Sequence, residues 1–199
     1  MEKKLIIVSA PPASGKTYVS MKLAENLRHV VYLDKDDLVP LSNVAYDVTN
    51  QPRAREGLFF EEYLRNVEYD VILKQGFEAL KYEDIVLINA PFSREIRNKE
   101  WVDSLRKTLK EQYNGTLVII WVTCPVVVVH QRMIDRKSPR DVYKLQDWET
   151  FVATHNFSTP TELYVEGDPY SLILFDNGSE ESYEASMKRT VDLLEERTE

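Results

Sequence analysis

An α/β architecture, a parallel sheet covered by helices on both faces, is what this 199-residue sequence predicts. Three observations predict it. Short apolar runs recur at 5–9, 30–34, 84–89, 116–123 and 171–175, and helical periodicity fills most of the intervals between them. The runs are apolar at successive positions, as in strands buried on both faces. The first run opens into Ala10-Pro11-Pro12-Ala13-Ser14-Gly15-Lys16-Thr17 and then into a helix. That strand, tight loop and helix is the setting a phosphate-binding loop requires.

The elements follow in order. Residues 5–9 read as a central strand, 18–28 as the first helix, and 30–34 as a second strand closing on Asp34-Lys35-Asp36-Asp37. Residues 38–52 lack clear periodicity and hold Pro40, Asn43, Asn50 and Pro52, which predicts a loop with room for a short helix. A long helical pattern runs over 53–81, with Gly76 as a point of interruption. The third strand, 84–89, stops at Ala90-Pro91. Residues 94–112 read as helix, with Asn114-Gly115 as its stop. After the fourth strand, Pro125 suits the start of a helix running to about Arg136. A charged loop (137–142) and a helix over 144–153 come next. The fifth strand leads to a closing helix, for which Ser179 is a good N-cap with Glu180 and Glu181 in the first turn. No internal repeat or linker divides the chain, so one domain spanning 1–199 is expected.

Bulk properties narrow the function. A hydrophobic fraction of 43% is enough to build a core and argues against wholesale disorder. No apolar run approaches the roughly 20 residues that cross a bilayer. Residues 1–4 lead into a strand too short for a signal peptide. A single cysteine, Cys124, excludes an internal disulfide framework and suits a cytoplasmic protein. Cys124 itself reads as a small buried residue after a strand. The net charge of −8 disfavours long nucleic-acid partners, while one nucleotide held by one loop stays compatible.

Right-handed crossovers bring the ligand to the C-terminal ends of parallel strands, so the polar residues there are the site candidates. In the loop, backbone N–H groups of Ala13, Ser14, Gly15, Lys16 and Thr17, with Tyr18 following in the helix, would surround an anion at a helix N-terminus. Lys16 would reach the outer phosphates and the Thr17 hydroxyl would ligate Mg²⁺. The loop departs from G-x-x-x-x-G-K-[ST] at its first position, where Ala10 replaces glycine. Asp36, after the second strand, could accept the proton of an attacking hydroxyl and help hold the metal, with Asp34 and Asp37 competing for the role. If that segment is extended, only one of Asp36 and Asp37 faces the site. The third strand ends in Asn89, where many nucleotide-hydrolysing enzymes carry an aspartate for Mg²⁺. Arg132 and Arg136 lie four apart on one helix face, with Arg140 in the loop beyond, an arrangement for closing arginines onto phosphates. A solvated face paired with Asp135 and Asp141 is the plainer reading. Asn177 and Gly178, after the fifth strand, are base-contact candidates, and a turn explains them equally well. His29, His130 and His155 lack metal-ligand spacing. The mixture of Arg53, Arg55 and Arg65 with Phe59, Phe60 and Tyr63 fits an amphipathic core helix, or an anionic acceptor beside the second strand.

Together, Ala10 to Thr17, Leu33-Asp34-Lys35-Asp36-Asp37-Leu38 and Arg132 to Asp141 resemble the P-loop kinase-like branch of the nucleoside triphosphate hydrolases. The closest groups are the small AAA-type ATP-binding proteins related to polynucleotide kinase, gluconate kinase, chloramphenicol phosphotransferase and zeta toxin. The resemblance implies a three-layer α/β/α fold with a five-stranded sheet in the order 2-3-1-4-5. It implies an acceptor-side insert at about 38–82 and a short lid at about 132–145. It puts the catalytic base on Asp36 and the lid arginines on Arg132, Arg136 and Arg140. The function expected is ATP- and Mg²⁺-dependent transfer of the γ-phosphate to a hydroxyl of a small acceptor, by a monomer or homodimer. An ATP-binding switch without transfer, or a zeta-toxin-like kinase, are the alternatives.

Overall fold

The computed structural model describes residues 2–138 and 141–196. Five strands, β1 (Lys3–Ser9), β2 (Val30–Asp34), β3 (Ile85–Asn89), β4 (Gly115–Thr123) and β5 (Ile173–Asp176), form one parallel sheet in the order β2-β3-β1-β4-β5. Side-chain alternation assigns each strand residue to one of two cores. Leu5, Ile7, Val86, Ile88, Leu117 and Ile119 pack on one face, beneath α3 (Arg65–Ala79) and α4 (Lys99–Thr108). Ile6, Val8, Ile85, Leu87, Val118 and Ile120 pack on the other, beneath α1 (Lys16–Asn26) and α8 (Glu180–Leu194). Each fully buried aliphatic side chain contributes about 1.5–3 kcal/mol, so the double-sided central strands dominate the stability of the sheet.

Between the strands the structure departs from the sequence pattern at four places. Residues expected to be mainly loop contain a ten-residue helix, α2 (Val39–Val48). Its buried side is Ser42 and Tyr46, while the apolar Leu41, Val44 and Val48 face outward, so the polarity of its two faces is the opposite of the usual core-facing pattern. The long helix expected over 53–81 is shorter. Residues 51–57 hold no regular element, a widened π turn covers Phe60–Leu64, and α3 runs unbroken through Gly76. A Cβ on Gly76 would sit 2.8 Å from Ile88 Cδ1 and 3.2 Å from Leu5 Cδ1, so this glycine lets the helix lie close on the sheet. Residues expected as one helix over 94–112 are divided. A 3₁₀ turn (Glu95–Arg97) precedes Asn98, whose side chain caps α4, and a π turn (Leu109–Tyr113) ends at left-handed Asn114. The helix expected over 144–153 is two, α6 (Val142–Gln146) and α7 (Trp148–Thr154), broken where Asp147 caps the second.

After β4, α5 (Val126–Arg136) begins at Pro125 and ends at left-handed Lys137. Val129 and Met133 of α5 and Phe151 of α7 make a third, smaller core, joined by Ala13 of the loop, Cys124 and Trp148. The segment from α5 to α7 is thus packed directly against the phosphate-loop motif. Among the described residues, no helix is long and apolar enough to cross a membrane.

Candidate active site

Register decides which polar residues meet. Val8, Asn89 and Asp34 are cross-strand partners at the C-terminal ends of β1, β3 and β2. Val8 faces the core under α1, as do Leu87 of β3 and Tyr32 of β2, so the period of two turns Asn89 and Asp34 to that same face. There they meet the first turn of α1. The Lys16 ammonium donates to Asn89 Oδ1, which also accepts from Ser20 Oγ at 3.3 Å. Asn89 Nδ2 donates to Asp34 Oδ2 at 2.7 Å and to Thr17 Oγ1 at 3.2 Å. Asp34 accepts two further bonds, from Tyr32 OH (3.0 Å) and from the backbone N–H of Asp36 (2.9 Å). Asn89 is buried and Thr17 is exposed at the mouth of the site.

The loop is shaped for this placement. Ala13 (φ 57°) and Gly15 (φ 90°) take left-handed conformations, whereas Ala10 is not among the positive-φ residues. Alanine at the first motif position is therefore unstrained, and the glycine requirement falls on Gly15. A Cβ on Gly15 would also run into the Asn177 amide nitrogen. That amide donates to Ser14 O at 2.8 Å, and Arg132 bonds Ser14 O (3.5 Å), Asn177 O (2.8 Å) and Cys124 Sγ (3.4 Å). Arg132 and Asn177 thus brace the loop from its outer side. No side chain caps the N-terminus of α1, and buried Ser14 Oγ has no hydrogen-bond partner, so donors remain for an anion.

The remaining sequence candidates sit farther out. Residues 35–38 form a 3₁₀ turn capped by Asp34, so the extended-strand alternation expected for Asp36 and Asp37 does not apply, and both are exposed. Asp36 lies 3.3 Å from Lys35 Nζ with its side chain 65% exposed. Arg136 is tied to Asp141 in a two-point ion pair, one contact at 2.7 Å, and Asp141 is buried. Tyr18 is exposed, its ring 5.5 Å from that of Tyr183. Arg140 lies outside the described residues. Arg53, Arg55 and Arg65 pair with Asp47, Glu68 and Glu95, respectively.

Electrostatics follow the burial. Placing the Lys16 ammonium among buried groups lowers its pKa to about 8, although Asp34 and Asp36 pull it upward. Burial, and then the Asp34 charge, hold the Tyr32 hydroxyl well above its usual range, so it stays a donor.

Two groups of functional candidates had no sequence signal. Buried Glu68 accepts from Lys35 (3.0 Å), Ser42 (2.5 Å) and Arg55 (3.0 Å), tying the 3₁₀ turn, α2, the 51–57 segment and α3 together. Glu56 joins that segment to α6 by accepting from Tyr143 OH and pairing with Lys144 at 3.4 Å. Both groups join residues distant in sequence through irregular backbone.

Mg²⁺ prefers oxygen ligands and keeps several waters, relying on one or two protein groups plus phosphates. Among the described residues no three acidic, histidine or cysteine side chains cluster as a metal cage. The Thr17 hydroxyl and the Asp34 carboxylate, one amide apart, would supply the sparse oxygen set such an ion uses, whereas the Asp36 carboxylate, expected to share in holding the metal, meets Lys35 instead.

No protein-family model matches the chain, and neither does any curated protein. Solved structures do. A candidate kinase of Chloroflexus aurantiacus is 19% identical over 100% of both chains, with a TM-score of 0.65. A tunicamycin resistance protein of Deinococcus radiodurans is 14% identical over 99% of this chain and 98% of its own, with a TM-score of 0.55. A gluconokinase of Sinorhizobium meliloti is 17% identical over 98% of each, with a TM-score of 0.52. With its parallel 2-3-1-4-5 sheet and the loop that leaves β1, the chain has the P-loop kinase-like fold.

Proposed function

We propose that this protein is an ATP- and Mg²⁺-dependent kinase acting on a hydroxyl of a small molecule. The observation that carries the reading is the single hydrogen-bonded group of Lys16, Thr17, Asp34 and Asn89 at the ends of β1, β2 and β3. Kinase names among the structural neighbours, gluconokinase and sugar kinase included, support it at the level of reaction type.

In this reading the loop N–H groups and Lys16 bind the β- and γ-phosphates, and Thr17 with Asp34 would hold Mg²⁺. Such an ion would supply positive charge to screen the phosphates. Asp36, exposed and only partly engaged by Lys35, accepts the proton of the acceptor hydroxyl as its oxygen bonds to the γ-phosphorus. The bond from that phosphorus to the bridging oxygen breaks, and ADP leaves. Residues 38–82 form the acceptor side. The lid of this reading is the segment at about 132–145; in it Arg132 braces the loop, while Arg136 is paired with Asp141, the plainer of the two arrangements expected for it, and would have to leave that pair to meet a phosphate. A switch that binds ATP without transfer is the second reading, favoured by the neutral Asn89 where an acid would assist hydrolysis.

Transfer from γ-labelled ATP with Mg²⁺ across a panel of small hydroxyl compounds tests the reading, with Asp36→Asn as control. Product with one acceptor that disappears in the control supports the kinase. Nucleotide binding with no transfer to any acceptor supports the switch.

A further inference from the structure

We propose that Asn89 is a positioning residue, a neutral adapter that holds the Lys16 ammonium and the Asp34 carboxylate apart so that Lys16 stays available to phosphate. The inference rests on the nucleotide reading above.

The chemistry of the four partners permits one orientation of the Asn89 amide. Lys16 has only donors and Asp34 only acceptors. The carbonyl must face the ammonium and the NH₂ must face the carboxylate, which is the arrangement present. Rotating the amide would set NH₂ against NH₃⁺ and oxygen against oxygen. Because Asn89 is buried in β3 and held by register beside Val8 and Asp34, it cannot swing aside.

Neutrality is the property that matters. A carboxylate at position 89 would satisfy Lys16, yet its other oxygen would replace the NH₂ that is 2.7 Å from Asp34. Two carboxylates at that spacing repel one another, and together they repel an incoming polyphosphate. With no side chain at 89, nothing separates ammonium from carboxylate, and Lys16 is free to fall onto Asp34 in a direct ion pair. Either change withdraws the lysine from its ligand. The amide also reaches the Thr17 hydroxyl at 3.2 Å, so one residue orients both motif side chains.

The test is the affinity of metal-free ADP, measured by calorimetry, with melting temperature recorded for each variant. Asn89→Asp is expected to weaken binding about tenfold or more, the scale of one added like charge near the phosphates. The exchanged pair, Asn89→Asp with Asp34→Asn, restores the net charge but sets Lys16 directly against a carboxylate, so it is expected to stay weakened; native affinity there would show that only the net charge matters and overturns the proposal. Asn89→Ala adds no charge. It should lose about as much, and Asp34→Asn in that background should restore binding because the lysine then has no carboxylate to fall onto. Native affinity in both single variants overturns the proposal. So does a loss in Asn89→Ala that follows melting temperature and is not recovered by Asp34→Asn, since that pattern marks a purely structural residue. A wild-type chain that fails to bind ADP overturns the nucleotide reading itself, and this inference with it.

Discussion

The nucleotide side and the acceptor side of this site are built from different forces. On the nucleotide side, neutral amides do most of the positioning: Asn89 between Lys16 and Asp34, and Asn177 on the carbonyl of Ser14, where the Arg132 guanidinium joins it. On the acceptor side, charge does it: Glu68 gathers Lys35 and Arg55, and Glu56 links the 51–57 segment to α6. A hydrogen-bonded amide network fixes direction at little desolvation cost. A buried ion pair holds segments that lack regular structure, but removing one partner leaves a charge stranded. Substitutions on the nucleotide side are therefore expected to show in ligand affinity with little change in stability, and substitutions on the acceptor side in stability with little change in nucleotide affinity.

The largest effects should fall on the nucleotide side and be seen in function. Lys16→Ala should abolish nucleotide binding or turnover with little change in melting temperature; unchanged affinity and turnover would refute the phosphate-loop assignment. Asp36→Asn should keep nucleotide binding and reduce transfer by roughly two to four orders of magnitude, the scale of general-base removal. The same loss in Asp37→Asn instead would move the base by one residue.

Next in size is a stability effect on the acceptor side. Glu68→Ala strands Lys35 and Arg55 and should cost about 3–5 kcal/mol in denaturant unfolding, while ADP affinity stays near native. A drop in ADP affinity as large as the drop in stability would erase the contrast between the two sides.

Smaller still is a pH effect at Lys16. Its folded pKa of about 8 lies below the ordinary 10.5, so between those values the unfolded chain binds more protons than the folded one. Stability from this residue therefore rises with pH through that window, by at most about 1.4 kcal/mol per pH unit. Unfolding of wild type and Lys16→Met between pH 7.5 and 9.5 should show wild type gaining on the variant; a constant difference would show that the ammonium is not desolvated. Bound phosphates should keep the lysine charged, so ADP affinity should weaken as pH rises above about 8.

The smallest effect belongs to Glu56, whose side chain is 64% exposed. Glu56→Gln should change stability by about 0.2–1 kcal/mol. Faster hydrogen exchange confined to α6 and α7 would show that this contact holds the lid segment; no change there would leave the third core as what holds it.

The difference between the two sides also explains how much of the molecule was legible in the sequence. All five strands and the helices α1, α3, α4, α5 and α8 could be read because strand runs and helix stripes are local patterns. The loop could be read because its residues are consecutive. By contrast, α2 was hidden because its outward Leu41, Val44 and Val48 invert the usual stripe. The partners of Arg55 and Arg65 were hidden because Glu68 and Glu95 lie on other elements. Asp36 was expected to alternate with Asp37 as in a strand, and the 3₁₀ turn capped by Asp34 removed that alternation.

By itself the sequence determined the strand–loop–helix that begins the chain, the alternation of strands with helices, and the set of polar residues at the strand ends. These depend on near neighbours and on the twofold and 3.6-fold periods of the backbone. Only the tertiary structure decided which of those polar residues touch. Parallel register put Asn89 beside Asp34, and the packing of α1 brought Lys16 and Thr17 onto the same amide. Such contacts join residues up to 73 positions apart, and pairings of that range are fixed by how the sheet assembles, which no local pattern records.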